Sequence, residues 1–323
     1  MKKMFLLLSI VLTNTTIINF VCAKEPRKLN ILLTNDDGYH TLEIQALKQT
    51  LRDAGHNVFL VAPSSNQSGC GTSVQLSSKH VQLIPLGHQE FAVQSTEIGY
   101  IAGPLAGKSW PATPGQCVLV GEELMYRAGC EPDIVLSGPN RGENVSIRCV
   151  HSGTVGAAQV ARSVCMGRKS LPSIAISINL GANESRIQET AKFVTYFVEL
   201  LDAQRDDNDQ LLPDGVLLNM NIPALQADAT EQAPIKGIAL CKSGHAVYDT
   251  YLKGNTVFRA YDKGDNNFCI DLCVVDYKDT AAHSDNLALA QGYITIVPFM
   301  CDFTAQTSMQ DINTKLQHLF TQN

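Results

Sequence analysis

The chain has 323 residues, is 45% hydrophobic and carries a formal net charge of −6. That is enough apolar material for one large domain or two small ones. Acids outnumber bases and no basic stripe occurs, which argues against a nucleic-acid polymer as partner.

Lys2 and Lys3 precede the apolar run Phe5–Leu12, and a second apolar patch ends at Val21-Cys22-Ala23. Residues 1–23 therefore read as a secretory signal peptide cleaved after Ala23. Asn14-Thr15-Thr16 interrupts the run, so a membrane span is not expected, and Asn19-Phe20-Val21 lack the small residues that precede a lipidated cysteine. The expected location is the periplasm or the exterior. Of the ten cysteines, Cys22 leaves with the leader and an odd number remains. They are scattered, without a C-x-x-C pair, so neither a zinc site nor a thioredoxin motif is indicated. Cys117 and Cys165 fall in apolar helical pattern and read as small core residues.

Residues 24–323 form the expected folded chain. Asn30–Thr34 is a buried strand that empties into Asn35-Asp36-Asp37-Gly38. Ligands bind at the carboxyl ends of strands in open α/β sheets. Two adjacent carboxylates there repel one another, and a hard cation such as Mg²⁺, Mn²⁺ or Ca²⁺ between them would relieve that. The plain alternative is that Asp36 and Asp37 only cap the next helix. Ile44, Leu47 and Leu51 recur at helical spacing before Gly55, and Val58–Ala62 is a second strand, completing a βαβ unit. The loop Pro63–Ser73 is small, polar and glycine-rich, and it leaves its strand at the same edge as Asp36. It is not a Walker A loop, and a simple surface loop has the same composition.

Val81–Val93 reads as short strands. Thr113 caps a helix with Pro114 in its first turn and Val118, Leu119, Leu124 and Met125 on its apolar face. Asp133–Ser137 is a strand that discharges into the loop Gly138–Asn144. His151-Ser152-Gly153-Thr154 opens a small-residue helix, Val155–Gly167, whose first amides suit a phosphate; Ser152 or Thr154 can also be a plain cap. Strand Ser173–Ser177, helix Glu184–Leu201 and a solvated acidic loop, Asp202–Asp209, follow. Val216–Pro223 is a strand. Residues 235–283 read as β-hairpins projecting from the main sheet, Ser284 starts a short helix, Tyr293–Phe299 is a strand, and residues 304–323 hold a last helix. The expected fold is one α/β domain with a β-rich extension.

Three loops thus converge at one sheet edge, and together their motifs resemble the SurE family of nucleotidases. The matching residues are Asn35-Asp36-Asp37-Gly38, Ala62-Pro63 with Ser68-Gly69, and Thr113-Pro114 with Cys117-Val118. Ser137-Gly138, Asn140-x-Gly142-x-Asn144, Ser152–Ala158, Leu218–Pro223, Ser284-Asp285 and Gly292–Pro298 complete the set. The resemblance implies a Rossmann-like, mostly parallel sheet flanked by helices, with a β-hairpin-rich C-terminal extension. It implies a metal-dependent phosphomonoesterase acting on nucleoside 5′- and possibly 3′-monophosphates, with short polyphosphate within reach. It also implies one divalent ion per subunit, Mg or Mn, and a homodimer or homotetramer. Carried over, the metal ligands are Asp36, Asp37, Ser68 and Asn140. Asn144, Ser152, Gly153 and Thr154 would hold phosphate, and Asp36, Asn144 and Ser152 are the catalytic candidates. Three positions depart from the family pattern: Pro139, His151 in place of a tyrosine, and Gln116 in place of an acid.

Competing readings are an aspartyl-phosphate phosphatase, a receiver-like Mg-binding module and a two-lobed solute-binding protein. The first wants acids one residue apart, the second a further acid and a lysine-proline, the third two similar lobes. Asn-x-Ser sequons at Asn66, Asn144 and Asn183 read as accidental, because glycan at the first two would block the site.

Overall fold

In the computed structural model, residues 24, 27–74, 81–98, 109–163, 169–224, 233–245, 247–249, 254–265, 267–276, 281, 283–301 and 314 are described. The expected signal peptide, Cys165 and nearly all of the expected C-terminal helix lie outside the described residues. No helix among the described residues is long and apolar enough to cross a membrane.

A sheet of ten strands organises the chain. Its centre is parallel: β1 (Asn30–Thr34), β2 (Asn57–Pro63), β6 (Ile134–Arg141), β7 (Ser173–Ile178) and β8 (Val216–Ile222). These strands are buried along nearly their whole length, as strands covered on both faces should be. β3 (Val81–Gly87), β4 (Glu90–Ile98) and β5 (Ser109–Pro111) extend the β2 side. On the other side β13 (Tyr293–Met300) runs antiparallel to β8, and β9 (Gly237–Leu240) runs parallel to β13. The described residues build one ten-stranded sheet and one of three strands, not two similar lobes.

Side-chain alternation sends β1 to two layers. Ile31 and Leu33 join Ile44, Leu47 and Leu51 of α1 (Leu42–Asp53), together with Ala191, Val194 and Val198 of α4 (Glu184–Ala203). Leu32 joins Cys117, Val118 and Met125 of α2 (Pro114–Arg127), and Ala157 and Val160 of α3 (Gly153–Arg162). A Cβ on Gly121 of α2 would lie 2.4 Å from Leu32 Cδ1, so the glycine lets Leu32 pack directly against the helix. The connection from β1 turns one way to β2 and that to β7 the other way from β6. The gap between β1 and β6 is therefore the topological switch point, where this architecture opens a crevice.

Several boundaries differ from expectation. The residue before α1 is Thr41, so neither Asp36 nor Asp37 caps that helix. α2 is capped reciprocally: the Gln116 amide donates to Thr113 Oγ1 at 3.2 Å and the Thr113 amide to Gln116 Oε1 at 2.9 Å. The glutamine supplies the same oxygen an acid would have used. β6 does not stop at Ser137 but runs to Arg141 across a cis Gly138–Pro139 bond. A Cβ on Gly138 would meet Ile176 O at 2.2 Å, which is why only glycine fits the passage. A 3-10 turn, Ser146–His151, precedes α3, which begins at Gly153 rather than Val155 and ends at Arg162. Asp202 is buried, not solvated, and binds Arg27 and Arg205. Residues 235–283 split in two: β9 belongs to the main sheet, while β10 (Val247–Asp249), β11 (Gly254–Asp262) and β12 (Phe268–Val275) form a separate antiparallel sheet. The short helix α5 (Asp285–Ala290) lies before β13.

Candidate active site at the switch point

β1 ends in a turn that Asn35 ties off. Its Oδ1 accepts from the Gly38 amide at 3.1 Å and its Nδ2 donates to Gly38 O at 2.9 Å. Gly38 takes φ +102°, a conformation that costs a side-chain residue dearly. This leaves Asp36 and Asp37 at the strand's carboxyl end, as expected.

Asp36 is 3% exposed and lies over the start of α3, where Thr154 Oγ1 donates to its Oδ1 at 2.7 Å. Burial pushes its pKa up to about 6, and the neighbouring Asp37 adds to the rise, while the Thr154 bonds oppose it. Asp37 is half-buried and its pKa is also raised, chiefly by burial. Its Oδ2 accepts from the Arg141 amide at 2.9 Å and its Oδ1 from Asn66 Nδ2 at 3.2 Å. Asn66 Oδ1 in turn accepts from the Ser68 amide at 2.9 Å, and the Gln67 amide donates to Asp36 O at 2.6 Å. The serine loop and the end of β6 are thus both fastened to the acid turn. Ser68 is exposed on that loop and Asn140 is buried at the strand end, with Nδ2 donating to Gly142 O at 2.7 Å.

The start of α3 is crowded. A Cβ on Gly153 would stand 2.9 Å from both Asp36 Cβ and Cys70 Sγ, and one on Gly156 would stand 2.2 Å from Gly71 O. Ser152 caps the helix, accepting from the Val155 amide at 3.1 Å. Ser152 and Thr154 therefore have protein partners at the place where phosphate contacts were expected, and Thr154 is fully buried. Asn144 is likewise committed. Its Nδ2 donates to Ser177 Oγ at 2.8 Å, its amide to Asn221 Oδ1 at 2.8 Å, and its carbonyl accepts from Asn219 and Asn221. His151 is exposed, and its carbonyl accepts from the Gly71 amide.

Roles for Asn219, Asn221, Ser177, Glu43 and Arg141 were not read from the sequence. The two asparagines stand two apart on β8, so they share one face and carry polar groups into an otherwise apolar strand, a signal that was available. Arg141 pairs with Glu43 through two bonds to Oε1, at 2.8 and 2.6 Å. No local spacing announces a pair 98 residues apart.

Among the described residues no group of three His, Cys, Asp or Glu side chains is set to hold a metal. A centre here has to be completed by neutral oxygens. The donor chemistry fits a hard cation: two carboxylates that burial disfavours as anions, with repulsion from Asp37 adding at Asp36 and from Glu43 at Asp37, flanked by an amide and a hydroxyl oxygen. Among the described residues no cationic side chain hydrogen-bonds either carboxylate; the Arg141 guanidinium is bonded to Glu43 and acts on Asp37 only at a distance.

The profile of the family described as Survival protein SurE matches residues 31–250. A protein named 5′-nucleotidase SurE from Lawsonia intracellularis is 30% identical over 293 residues, covering 91% of this chain and all of that one. One named 5′/3′-nucleotidase SurE from Photorhabdus laumondii is 32% identical over 283 residues, covering 86% of this chain and 92% of that protein. The crystal structure of the SurE protein from Aquifex aeolicus superposes with a TM-score of 0.64 at 26% identity, covering 88% of this chain and 99% of that one.

Proposed function

The chain belongs to the SurE family, and from that premise we propose that it is a metal-dependent phosphomonoesterase that hydrolyses nucleoside 5′-monophosphates. The observation that carries the reading is the acid pair at the switch point, bonded to both the serine loop and the Asn140 strand end. Asp36, Asp37, Ser68 and Asn140 would hold one divalent ion, Mg or Mn. When bound, such an ion polarises the phosphoryl group and acidifies water.

The chain's own groups divide the rest. Asp36 accepts the proton of the attacking water at Oδ2, the oxygen that the Thr154 hydroxyl does not engage. Thr154 and Gly153 hold that carboxylate in place. Ser152 caps α3 with its oxygen and still has its hydroxyl proton to give to a phosphate oxygen. The α3 amides and dipole favour negative charge beside it. Asn144 acts through the buried Asn219–Asn221–Ser177 network, which sets the height of the loop after β6.

The finer reading includes 3′-monophosphates and short polyphosphate as further substrates. It also includes export to the periplasm or exterior through residues 1–23. A homodimer or homotetramer is supported by the apolar outer face of β12, where Phe268, Ile270 and Val274 are 65%, 73% and 53% exposed. Phosphate release from a panel of nucleoside monophosphates, with each metal and with chelator, tests the function. Turnover that survives chelation rejects it.

A further inference from the structure

This inference rests on the nucleotidase reading and concerns the end of the substrate away from the phosphate. Arg141 closes β6, and its backbone amide donates to Asp37 Oδ2 at 2.9 Å. Its side chain is 53% exposed at the rim of the site. Nε and Nη2 both donate to Glu43 Oε1, at 2.8 and 2.6 Å, and Glu43 is 2% exposed in the first turn of α1. Two bonds to one buried oxygen fix the plane of the guanidinium. The ion pair also cancels its charge, and Asp37 stands next to it, so a second anion has little reason to bind there. What the rim offers is a flat, weakly hydrated face.

One exposed apolar side chain lies by the next turn of the same loop. Leu180, after β7, is 56% exposed, and its Cδ2 lies 3.8 Å from where a Cβ on Gly142 would be. A fixed planar cation one residue from Asn140 of the proposed metal site, with Leu180 near its loop, matches a ligand with a charged end and a flat end. We infer that Arg141, its plane fixed by Glu43, is the platform on which the substrate's nucleobase stacks, which makes it a specificity-determining residue.

The test compares adenosine 5′-monophosphate with ribose 5-phosphate, which keeps the sugar and phosphate and lacks the base, both with Mg²⁺ supplied. Arg141→Lys keeps a cation for Glu43 and loses the plane. The ratio of kcat/KM between the two substrates is expected to fall about two- to fivefold, and Leu180→Ser should move it in the same direction. A lysine that fails to reach Glu43 would leave a buried acid unpaired, so the double variant Glu43→Gln with Arg141→Met supplies a neutral pair, also without a plane. An unchanged ratio in both variants overturns the inference. So does an equal fall on the two substrates, which would put Arg141 at the phosphate end. If the wild-type protein hydrolyses neither substrate, the nucleotidase reading itself fails, and the platform with it.

Discussion

β1 has acids at both of its ends, and they are treated in opposite ways. At the amino end, Asp202 is 1% exposed and accepts from the Arg27 amide at 2.8 Å and from Arg27 Nε at 2.9 Å, with Arg205 at 3.3 Å. Asp133 accepts from the Asn30 amide, and Asp209 is held below the usual carboxylate range by bonds from Arg205 and Arg27. A cavity of about 150 Å³ opens among Arg27, Asp133, Arg162, Lys169 and Asp209, yet acids and bases are mixed along its walls and it has the look of structural packing. At the carboxyl end, Asp36 and Asp37 have only neutral donors, and the nearest guanidinium is turned to Glu43. At the amino end the carboxylates are bonded by guanidiniums; at the carboxyl end Arg141 acts on Asp37 only at a distance, and on the proposed reading a bound cation supplies the rest.

The sharpest way to break this contrast is to neutralise each end. Asp36→Asn should lower phosphate release by about 10²- to 10⁴-fold, and Asp37→Asn should do the same by removing a metal ligand. Both variants should keep or raise the thermal midpoint of the metal-free protein, because a buried repulsion disappears. Rates near wild type in either variant would reject the assignment. Added Mg²⁺ or Mn²⁺ should stabilise the wild type by about 2.7 kcal/mol at a hundred times its Kd and should not stabilise Asp37→Asn; differential scanning calorimetry reads both.

Gly153→Ala tests the crowding around Asp36 at the carboxyl end. The new methyl meets Asp36 Cβ and Cys70 Sγ at 2.9 Å. Overpacking of this kind costs about 1–3 kcal/mol. A displacement of Asp36 of the order of an ångström should cost about 10²-fold in turnover. At the compensated end the signature reverses. Asp202→Ala removes the buried acceptor shared by the Arg27 amide, Arg27 Nε and Arg205, while Asp209 still holds both guanidiniums; it should destabilise by about 1–3 kcal/mol, seen in urea denaturation, while kcat/KM stays at the wild-type value.

The parallel core and the acid turn were legible because each rests on local pattern: an apolar run, a polar stop, a glycine. α2 was legible down to its cap for the same reason. The extension of β6 through Gly138–Pro139 was not, because glycine and proline in sequence signal a turn, and only contact with Ile176 explains an extended passage there. β9 was read with the hairpins because its alternating half-exposed residues suit either sheet, and its pairing with β13 is a tertiary choice. In the site, the acids, serine and asparagines were found as types, while their partners were not. Thr154 meets Asp36 across 118 residues. Such pairs carry no periodicity, so Thr154 reads as a phosphate ligand until the fold shows what it holds.

The smallest predicted effect is also the one that sets the two ends directly against each other: the slope of stability with pH in metal-free protein. His56, at the amino end of β2, accepts from the Leu29 amide at Nδ1 at 3.3 Å, and its Nε2 is buried without a hydrogen bond, 3.9 Å from Glu199 Oε1. Burial lowers its pKa despite the pull of Glu199, Asp202 and Asp133. A base held neutral in the fold stabilises above its unfolded pKa of about 6.5, and that contribution drains away as pH falls and the unfolded chain takes up the proton first. Asp36 has the opposite sign. Its folded pKa, about 6 against 3.8 unfolded, means the fold takes up the proton first, so stability rises as pH falls through 6 towards 3.8. In urea titrations from pH 7 to pH 5, Asp36→Asn should therefore lose stability more steeply than wild type. His56→Asn, which keeps an acceptor near the Leu29 amide and cannot be protonated, should lose it less steeply. If both variants follow the wild-type slope, the two ends do not differ in compensation, and the contrast between them has no energetic content.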